Sequence, residues 1–179
     1  KNGCYDLLVT YDIVQIKQPK PNDDGEFNFS GIDLGLNNLM AIATTNGIGG
    51  LVDGRPLKSI NQFYNKEIAR AKSKLPKNIR SSKKIINLWK RRNDKINHYL
   101  HCASRMVIDK LYNENVVDII VGKNDGWKKN INIGSKNNQN FVMIPFNRLI
   151  FMLKYKGEMF GMNVIETEEA YTSKSSALD

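Results

Sequence analysis

The chain has 179 residues with 41% hydrophobic and 25% charged content, enough for one sizeable core and part of a second domain. No apolar run approaches the roughly 20 residues that span a bilayer, and neither cysteine belongs to a Cys-x-x-Cys pair that would indicate a zinc site. The net charge of +9 favours a polyanionic partner, most simply nucleic acid.

The first 24 residues are predicted to belong to a different domain from the rest. Residues 5–14 have the composition of a strand, and residues 17–24 form a polar linker that contains two prolines. We therefore expect residues 1–24 to be the end of an N-terminal β domain with its linker.

Three strands are predicted next, at residues 30–34, 39–44 and 49–52, and Asn46-Gly47 and Asp53-Gly54 supply the turns between and after them. Asp33 lies inside the first apolar run, where a carboxylate needs an ion pair, a hydrogen bond or a metal ion. Gly35 follows two positions later and allows a turn or a close approach of phosphate.

Three interpretations of Asp33 remain open at this point: an ordinary hairpin, a metal-dependent nuclease of RNase H-like fold, and a sugar-kinase or actin-like ATPase. The ATPase also requires a second glycine-rich phosphate loop and a further mid-strand aspartate. The sequence offers neither feature.

From Leu57 to about residue 114 the apolar period becomes helical and predicts an antiparallel helix pair, interrupted at Pro76. Ser82 is a suitable N-cap for the second helix, which is expected to end near residues 113–115. Its predicted apolar stripe consists of Ile85, Trp89, Ile96, Leu100, Ala103, Val107 and Leu111.

The exposed sides of this pair are predicted to be almost purely basic, and arginine favours bidentate phosphate contact. We expect Lys90, Arg91 and Arg92 to contact nucleic acid. The other basic residues assigned to these sides are Lys66, Arg70, Lys72, Lys74, Lys77, Arg80, Lys83 and Lys84.

A nearly continuous apolar run at residues 116–121 predicts a buried parallel strand. The polar loop after it contains Trp127, Lys128 and Lys129. This cluster either stacks a base and holds phosphate, or anchors the loop on the core.

A helix is predicted from Pro145 to a C-cap at Gly161, followed by a short strand at residues 162–165. Three strands, two helices, a strand, a helix and a strand combine a hairpin sheet with βαβ crossovers. This order predicts an α/β protein with an RNase H-like mixed sheet.

Phosphodiester cleavage with two divalent metal ions needs clustered carboxylates that hold the ions about 4 Å apart. Such sites collect at the carboxyl ends of neighbouring parallel strands. The strand at 116–121 ends in Gly122, whereas the strand at 162–165 leads into Glu166, Glu168 and Glu169. A second ligand to join Asp33 is therefore expected among these three glutamates.

Three segments resemble the TnpB/OrfB family of transposon-encoded, RNA-guided DNA nucleases, which is related to Fanzor proteins and type V CRISPR effectors. Gly-Ile-Asp-Leu-Gly-Leu-Asn at residues 31–37 resembles the first RuvC motif of that family. Residues 56–65 resemble the opening of its helical insertion, and Tyr-Thr-Ser-Lys at 171–174 resembles its Thr-Ser motif.

The resemblance implies a RuvC-like nuclease domain over residues 25–179 with a helical insertion at about 57–114. It implies DNA cleavage directed by a guide RNA with Mg²⁺, or with Mn²⁺ in its place. It implies neither a membrane partner nor a small-molecule cofactor. Residues 1–24 would end a β-barrel domain. In a bacterial host the location would be cytoplasmic, at the nucleoid.

The sequence departs from the family pattern in the acidic residues. The usual second acid ends the 116–121 strand, where this chain has Gly122. Some relatives carry a glutamate just before the Thr-Ser motif, and Glu169 matches that position, with Glu168 as the reserve.

Two further parts of the family pattern do not appear. No zinc-ribbon cysteines follow Thr172-Ser173, and the third catalytic aspartate of the family lies beyond Asp179. We therefore expect an incomplete nuclease site in this fragment. The alternative interpretation is a nuclease-inactive, RNA-guided binding protein or a transposon remnant.

Overall fold

The computed structural model of the chain describes residues 10, 12, 18–21, 25–123 and 143–168. The three strands predicted between residues 30 and 52 are present, with ends within two residues of the prediction. The elements are β1 (Asn28–Leu34), β2 (Asn38–Thr44), β3 (Gly49–Asp53), α1 (Arg55–Ser73), α2 (Lys83–Asn113), β4 (Val116–Lys123), α3 (Phe146–Met159) and β5 (Asn163–Glu168).

The strands form one mixed sheet in the order β3-β2-β1-β4-β5. β1, β2 and β3 make the predicted antiparallel meander, while β4 runs parallel to both β1 and β5. Parallel neighbours require crossover connections, which α1 and α2 provide before β4 and α3 provides before β5. The predicted combination of hairpin and βαβ units is therefore confirmed.

The two faces of the sheet differ in how they are covered. Ile32 and Leu34 of β1 lie opposite Ile42 and Met40 of β2, and all four are buried in the main core with α2 and α3. No helix of the described ranges packs on the other face, which we call the open face. Its exposed large side chains, 42–69% exposed, are Phe29, Leu51, Ile120 and Ile165.

The helices α1 and α2 form the predicted antiparallel pair, which we call the helical hairpin. α1 ends at Ser73, before Pro76, and the Ser82 hydroxyl caps α2 by accepting the N–H of Ile85 at 3.4 Å. A separate apolar cluster joins the helices through Tyr64, Ile68, Ala71 and Ile85. Of the helices in the described ranges, none is apolar enough along its length to cross a membrane.

Gly54 packs against the β1–β2 turn, which follows the strand that contains Asp33. A Cβ atom at position 54 would lie 2.4 Å from the carbonyl oxygen of Leu36, so a larger residue does not fit against the β1–β2 turn. The Gly54 N–H donates to the Asn37 carbonyl at 2.7 Å, and Lys58 Nζ donates to Asn37 Oδ1 at 2.8 Å. The start of α1 therefore holds this turn in place.

α3 ends at Met159 with Phe160 as its C-cap, one residue before the predicted C-cap at Gly161. Gly161 adopts φ +68°, and the N–H groups of Gly161 and Met162 donate to the carbonyls of Glu158 and Gly157 at 3.1 and 2.9 Å. This pair of bonds is a Schellman motif, which satisfies the last carbonyls of the helix. The chain then enters β5 directly.

Candidate functional site

Asp33 lies on the open face near the carboxyl end of β1, opposite Ala41 of β2. Its side chain is exposed, and no described residue forms a hydrogen bond or an ion pair with its carboxylate. The strand is buried on one face only, so the aspartate does not enter the apolar core. A carboxylate presented in this way is available to an external cation.

Asp33 of β1, Gly122 of β4 and Thr167 of β5 lie side by side across three consecutive strands of the sheet, in a row that we call the Asp33 row. Ile32 pairs with Val121, so the next residues along, Asp33 and Gly122, are neighbours, and Gly122 pairs with Thr167. The row borders a cavity of about 430 Å³ on the open face. A side chain at position 122 would point beside the Asp33 carboxylate, and glycine leaves this place without one.

Glu166 does not share this row, which removes it from the predicted ligands. It pairs with Val121, whose side chain is buried on the helix-covered face. Its carboxylate lies 2.9 Å from Lys123 Nζ and 2.6 Å from Lys154 Nζ. Hydrogen bonds from Lys123 and then Lys154 lower the pKa of Glu166, so two protein cations already occupy this carboxylate.

Replacing Glu166 with glutamine is expected to lower the free energy of unfolding by about 0.5–1 kcal/mol at neutral pH, a typical value for paired surface carboxylates. The lysines lower the pKa of Glu166 in the folded protein. The stabilisation is therefore fully present above the ordinary carboxyl pKa of about 4.3 and is lost as the pH falls through the lower folded value. Urea unfolding across this pH range measures the difference.

The matched control is Glu158→Gln on α3, because Glu158 is exposed and pairs with no cation of the described residues. This change should not lower the free energy of unfolding, because a negative charge in the last turn of a helix is itself slightly unfavourable. A Glu166→Gln effect that stays constant down to low pH would contradict the role given to the two lysines.

Several predicted site residues lie outside the described ranges, namely Glu169, Trp127, Lys128 and Lys129. In the part of the chain that the structure describes, no three His, Cys, Asp or Glu side chains gather closely enough to hold a metal ion. Asp33 is thus the member of the predicted metal site whose surroundings are defined here.

The helical hairpin carries a strongly basic end. Residues 68–93 include ten lysines and arginines and no aspartate or glutamate. Lys90 and Arg91 are exposed there, as predicted, and so are the others except Arg92. Glu67, just before this stretch, pairs with Arg70 at 2.6 Å. The remaining excess of positive charge makes this end of the hairpin a surface suited to phosphate groups.

The exposure predicted for Arg92 is wrong, since only 7% of this residue is exposed. Its guanidinium donates to Asn61 Oδ1 on α1 at 2.9 Å, to Asn93 Oδ1 at 2.8 Å and to the Met143 carbonyl at 3.0 Å. Burial lowers the pKa of Arg92. Arg92 therefore ties the hairpin to the segment before α3, and its donors face protein acceptors.

The burial predicted for Trp89 is also wrong. It was expected in the apolar stripe of α2, yet it is 38% exposed, and Arg92 holds the buried position three residues later. The Arg92 guanidinium carbon lies over the Trp89 ring, 5.4 Å from its centroid. An exposed aromatic ring therefore accompanies the basic end of the hairpin.

The sequence profile of the family described as "OrfB_IS605: Probable transposase" matches residues 12–128, about two thirds of the chain. The chain belongs to this family. The TnpB/OrfB resemblance drawn from the short motifs is thereby confirmed.

A curated relative of this OrfB_IS605 chain is the "TnpB-like protein ORF457" of Acidianus two-tailed virus. It is 25% identical over 178 residues, and the match covers 92% of this chain and 36% of the relative. The chain therefore spans about a third of the length of that relative.

Two solved structures resemble the fold of the OrfB_IS605 chain. "Cryo-EM structure of the Cas12f1-sgRNA-target DNA complex" matches with a TM-score of 0.64 and 14% identity over 83% of this chain and 37% of that one. "Cryo-EM structure of CRISPR-Cas12f Ternary Complex" matches with a TM-score of 0.66 and 16% identity over 94% and 33%. The predicted RNase H-like fold is confirmed.

Proposed function

We propose that the chain is the RuvC-like part of a TnpB-type, RNA-guided DNA endonuclease that hydrolyses phosphodiester bonds with Mg²⁺. The observation that carries this proposal is the exposed Asp33 carboxylate at the end of β1, beside a cavity and without a protein partner among the described residues. Membership of a transposase family and the Cas12f-like fold support it.

The donor chemistry at Asp33 fits a magnesium ion, because Mg²⁺ prefers carboxylate oxygens and retains several water molecules. Mn²⁺ accepts the same ligands. When bound, the metal activates a water molecule and stabilises the leaving oxygen. The role of Asp33 is to hold the cation at the open face, while the basic end of the hairpin binds phosphates of the guide RNA and target DNA.

We propose Glu169 as the second metal ligand, with Glu168 as the reserve. Thr167 lies in the row of Asp33, whereas Glu166 binds lysines on the other side. Glu169 is three residues before Thr172 of the Thr-Ser motif, and it matches the position of the glutamate in the relatives that lack the usual second acid.

A cleavage assay with the complete protein, its guide RNA and a matching target DNA tests the proposed function. Cleavage is expected with Mg²⁺ or Mn²⁺ and should disappear when the metal is removed with EDTA, while guide-directed binding continues. Binding should be measured in parallel by gel shift. Cutting that persists without divalent metal would overturn the assignment.

A nuclease-inactive, RNA-guided binding protein is the second candidate function, and Gly122 favours it. The position beside Asp33 on β4 lacks a carboxylate, so the site depends on an acid from elsewhere in the chain. Guide-directed binding with no cleavage in any divalent metal tested would support this alternative.

A further inference from the structure

Trp89 is an aromatic side chain on the hairpin whose exposure the core does not explain. The apolar cluster between α1 and α2 is formed by Tyr64, Ile68, Ala71 and Ile85. Trp89 lies outside this cluster with 38% of its surface exposed, and Ile86 beside it is 40% exposed. Residues three apart on a helix are surface neighbours, so the two form one apolar patch.

The Arg92 guanidinium lies over the Trp89 ring and helps to fix the orientation of the ring. The guanidinium lies 5.4 Å from the ring centroid, within the range of a cation–π interaction. Arg92 is itself anchored by hydrogen bonds to Asn61 at 2.9 Å and to the Met143 carbonyl at 3.0 Å. Binding to a ring that is already held in this way costs less conformational entropy than binding to a mobile one.

The charge around the ring indicates which partner it suits. Residues 68–93 contain ten basic residues and no acidic one, and Lys83, Lys84, Lys90 and Arg91 lie within six residues of Trp89. This surface attracts a polyanion and repels a basic protein partner. An aromatic ring within a basic surface is the arrangement that stacks an unpaired base while cations hold the phosphates.

We propose that Trp89 is a base-stacking site for single-stranded nucleic acid on the helical hairpin. This inference deepens the proposed function by naming a residue that contacts the strand and the kind of strand it contacts. Bases in a duplex are stacked on one another and offer no free face, so the site favours unpaired nucleotides.

Fluorescence provides a direct test because the chain has two tryptophans, Trp89 and Trp127. In the Trp127→Phe variant of the complete protein, Trp89 is the one tryptophan left within these 179 residues, so its emission reports on binding at this site. Oligothymidylate and oligouridylate of about 16 nucleotides, near the upper site size of single-strand binding folds, serve as probes without divalent metal. The DNA and RNA probes are compared to find the preferred kind of strand. A thymidylate–adenylate duplex, whose bases are already stacked, is the third probe.

Stacking should quench the Trp89 emission on addition of a single strand, and the duplex should quench it much less. In anisotropy titrations with native Trp127, Trp89→Ala should weaken single-strand binding about tenfold or more, in line with base–aromatic stacking. Trp89→Phe should retain most of the affinity. The stronger of the DNA and RNA arms identifies the strand that the site prefers.

The matched control is Phe63→Ala, because Phe63 is an exposed aromatic residue of α1 on the same hairpin, 57% exposed. It should bind the single strand with unchanged affinity, and its thermal midpoint should be compared with that of Trp89→Ala. Equal losses in both variants, no quenching, or stronger binding of the duplex would overturn the proposal. Because no metal is present, failure of the nuclease assignment does not affect this result.

Discussion

Replacing Asp33 with asparagine is expected to abolish DNA cleavage and to leave guide-directed binding within about twofold of the wild type. Asparagine keeps the size of the side chain and removes the negative charge that would hold the proposed metal ion. We expect a loss of at least about 1,000-fold in the cleavage rate, equivalent to roughly 4 kcal/mol in the activation free energy. Single-turnover cleavage, with the protein–guide complex in saturating excess over the target, measures this rate directly.

The fold should tolerate this change because Asp33 is exposed and has no partner among the described residues. The thermal midpoint of Asp33→Asn should therefore equal that of the wild type. Glu169→Gln should give a similar loss of cleavage, and Glu166→Gln should not. Full activity of Asp33→Asn would remove Asp33 from the metal site, whatever the behaviour of the glutamates.

Introducing a carboxylate at position 122 is expected to restore cleavage to a protein that lacks Glu169. Gly122 is the neighbour of Asp33 on β4, and the open face beside it has a cavity of about 430 Å³. Neighbouring strands lie about 4.8 Å apart, so a glutamate at position 122 can share a cation with Asp33. We expect Gly122→Glu in the Glu169→Ala background to recover at least about tenfold in rate, or roughly 1.4 kcal/mol.

The control for this rescue is Gly31→Glu in the same background. Gly31 is also on the open face of β1, and a Cβ atom there would meet no other atom within 4 Å. It precedes Asp33 by two residues, so its carboxylate adds the same charge one row away, about 6.8 Å along the strand. Equal recovery from both glutamates would show a general charge effect and would contradict the geometry assigned to position 122.

The sheet was predictable from the sequence because each strand carries its own signal. Alternation and the Asn46-Gly47 turn located the meander, and the apolar run after α2 indicated a buried parallel strand. β4 continues through Gly122 to Lys123, two residues beyond the predicted end. Pairing with β5 extends it, since Lys123 pairs with Glu168, and local composition does not reveal such a partner.

The exchange of roles between Trp89 and Arg92 could not be read from periodicity. Both positions fall near the apolar stripe of α2, and hydrophobicity favours tryptophan for the buried one. The structure buries Arg92 because Asn61 and the Met143 carbonyl satisfy its donors. These acceptors come from α1 and from the segment before α3, which are distant in sequence.

The acidic residues in the second half of β5 show a similar limit. Glu166 was a candidate ligand because it follows the predicted strand at residues 162–165. Its exclusion depends on the register of three strands, which sets Thr167 and not Glu166 in line with Asp33. The lysines that form ion pairs with Glu166 come from β4 and α3, and no local sequence pattern predicts these pairs.

The length of α2 constrains how this protein can evolve. One continuous helix of 31 residues, about 46 Å long, packs on the sheet through its second half and carries Trp89 in its first half. Each inserted or deleted residue between these halves would rotate the hairpin end by about 100°. Viable length changes in homologues should therefore come in steps of about 7 or 11 residues, which preserve the helical phase.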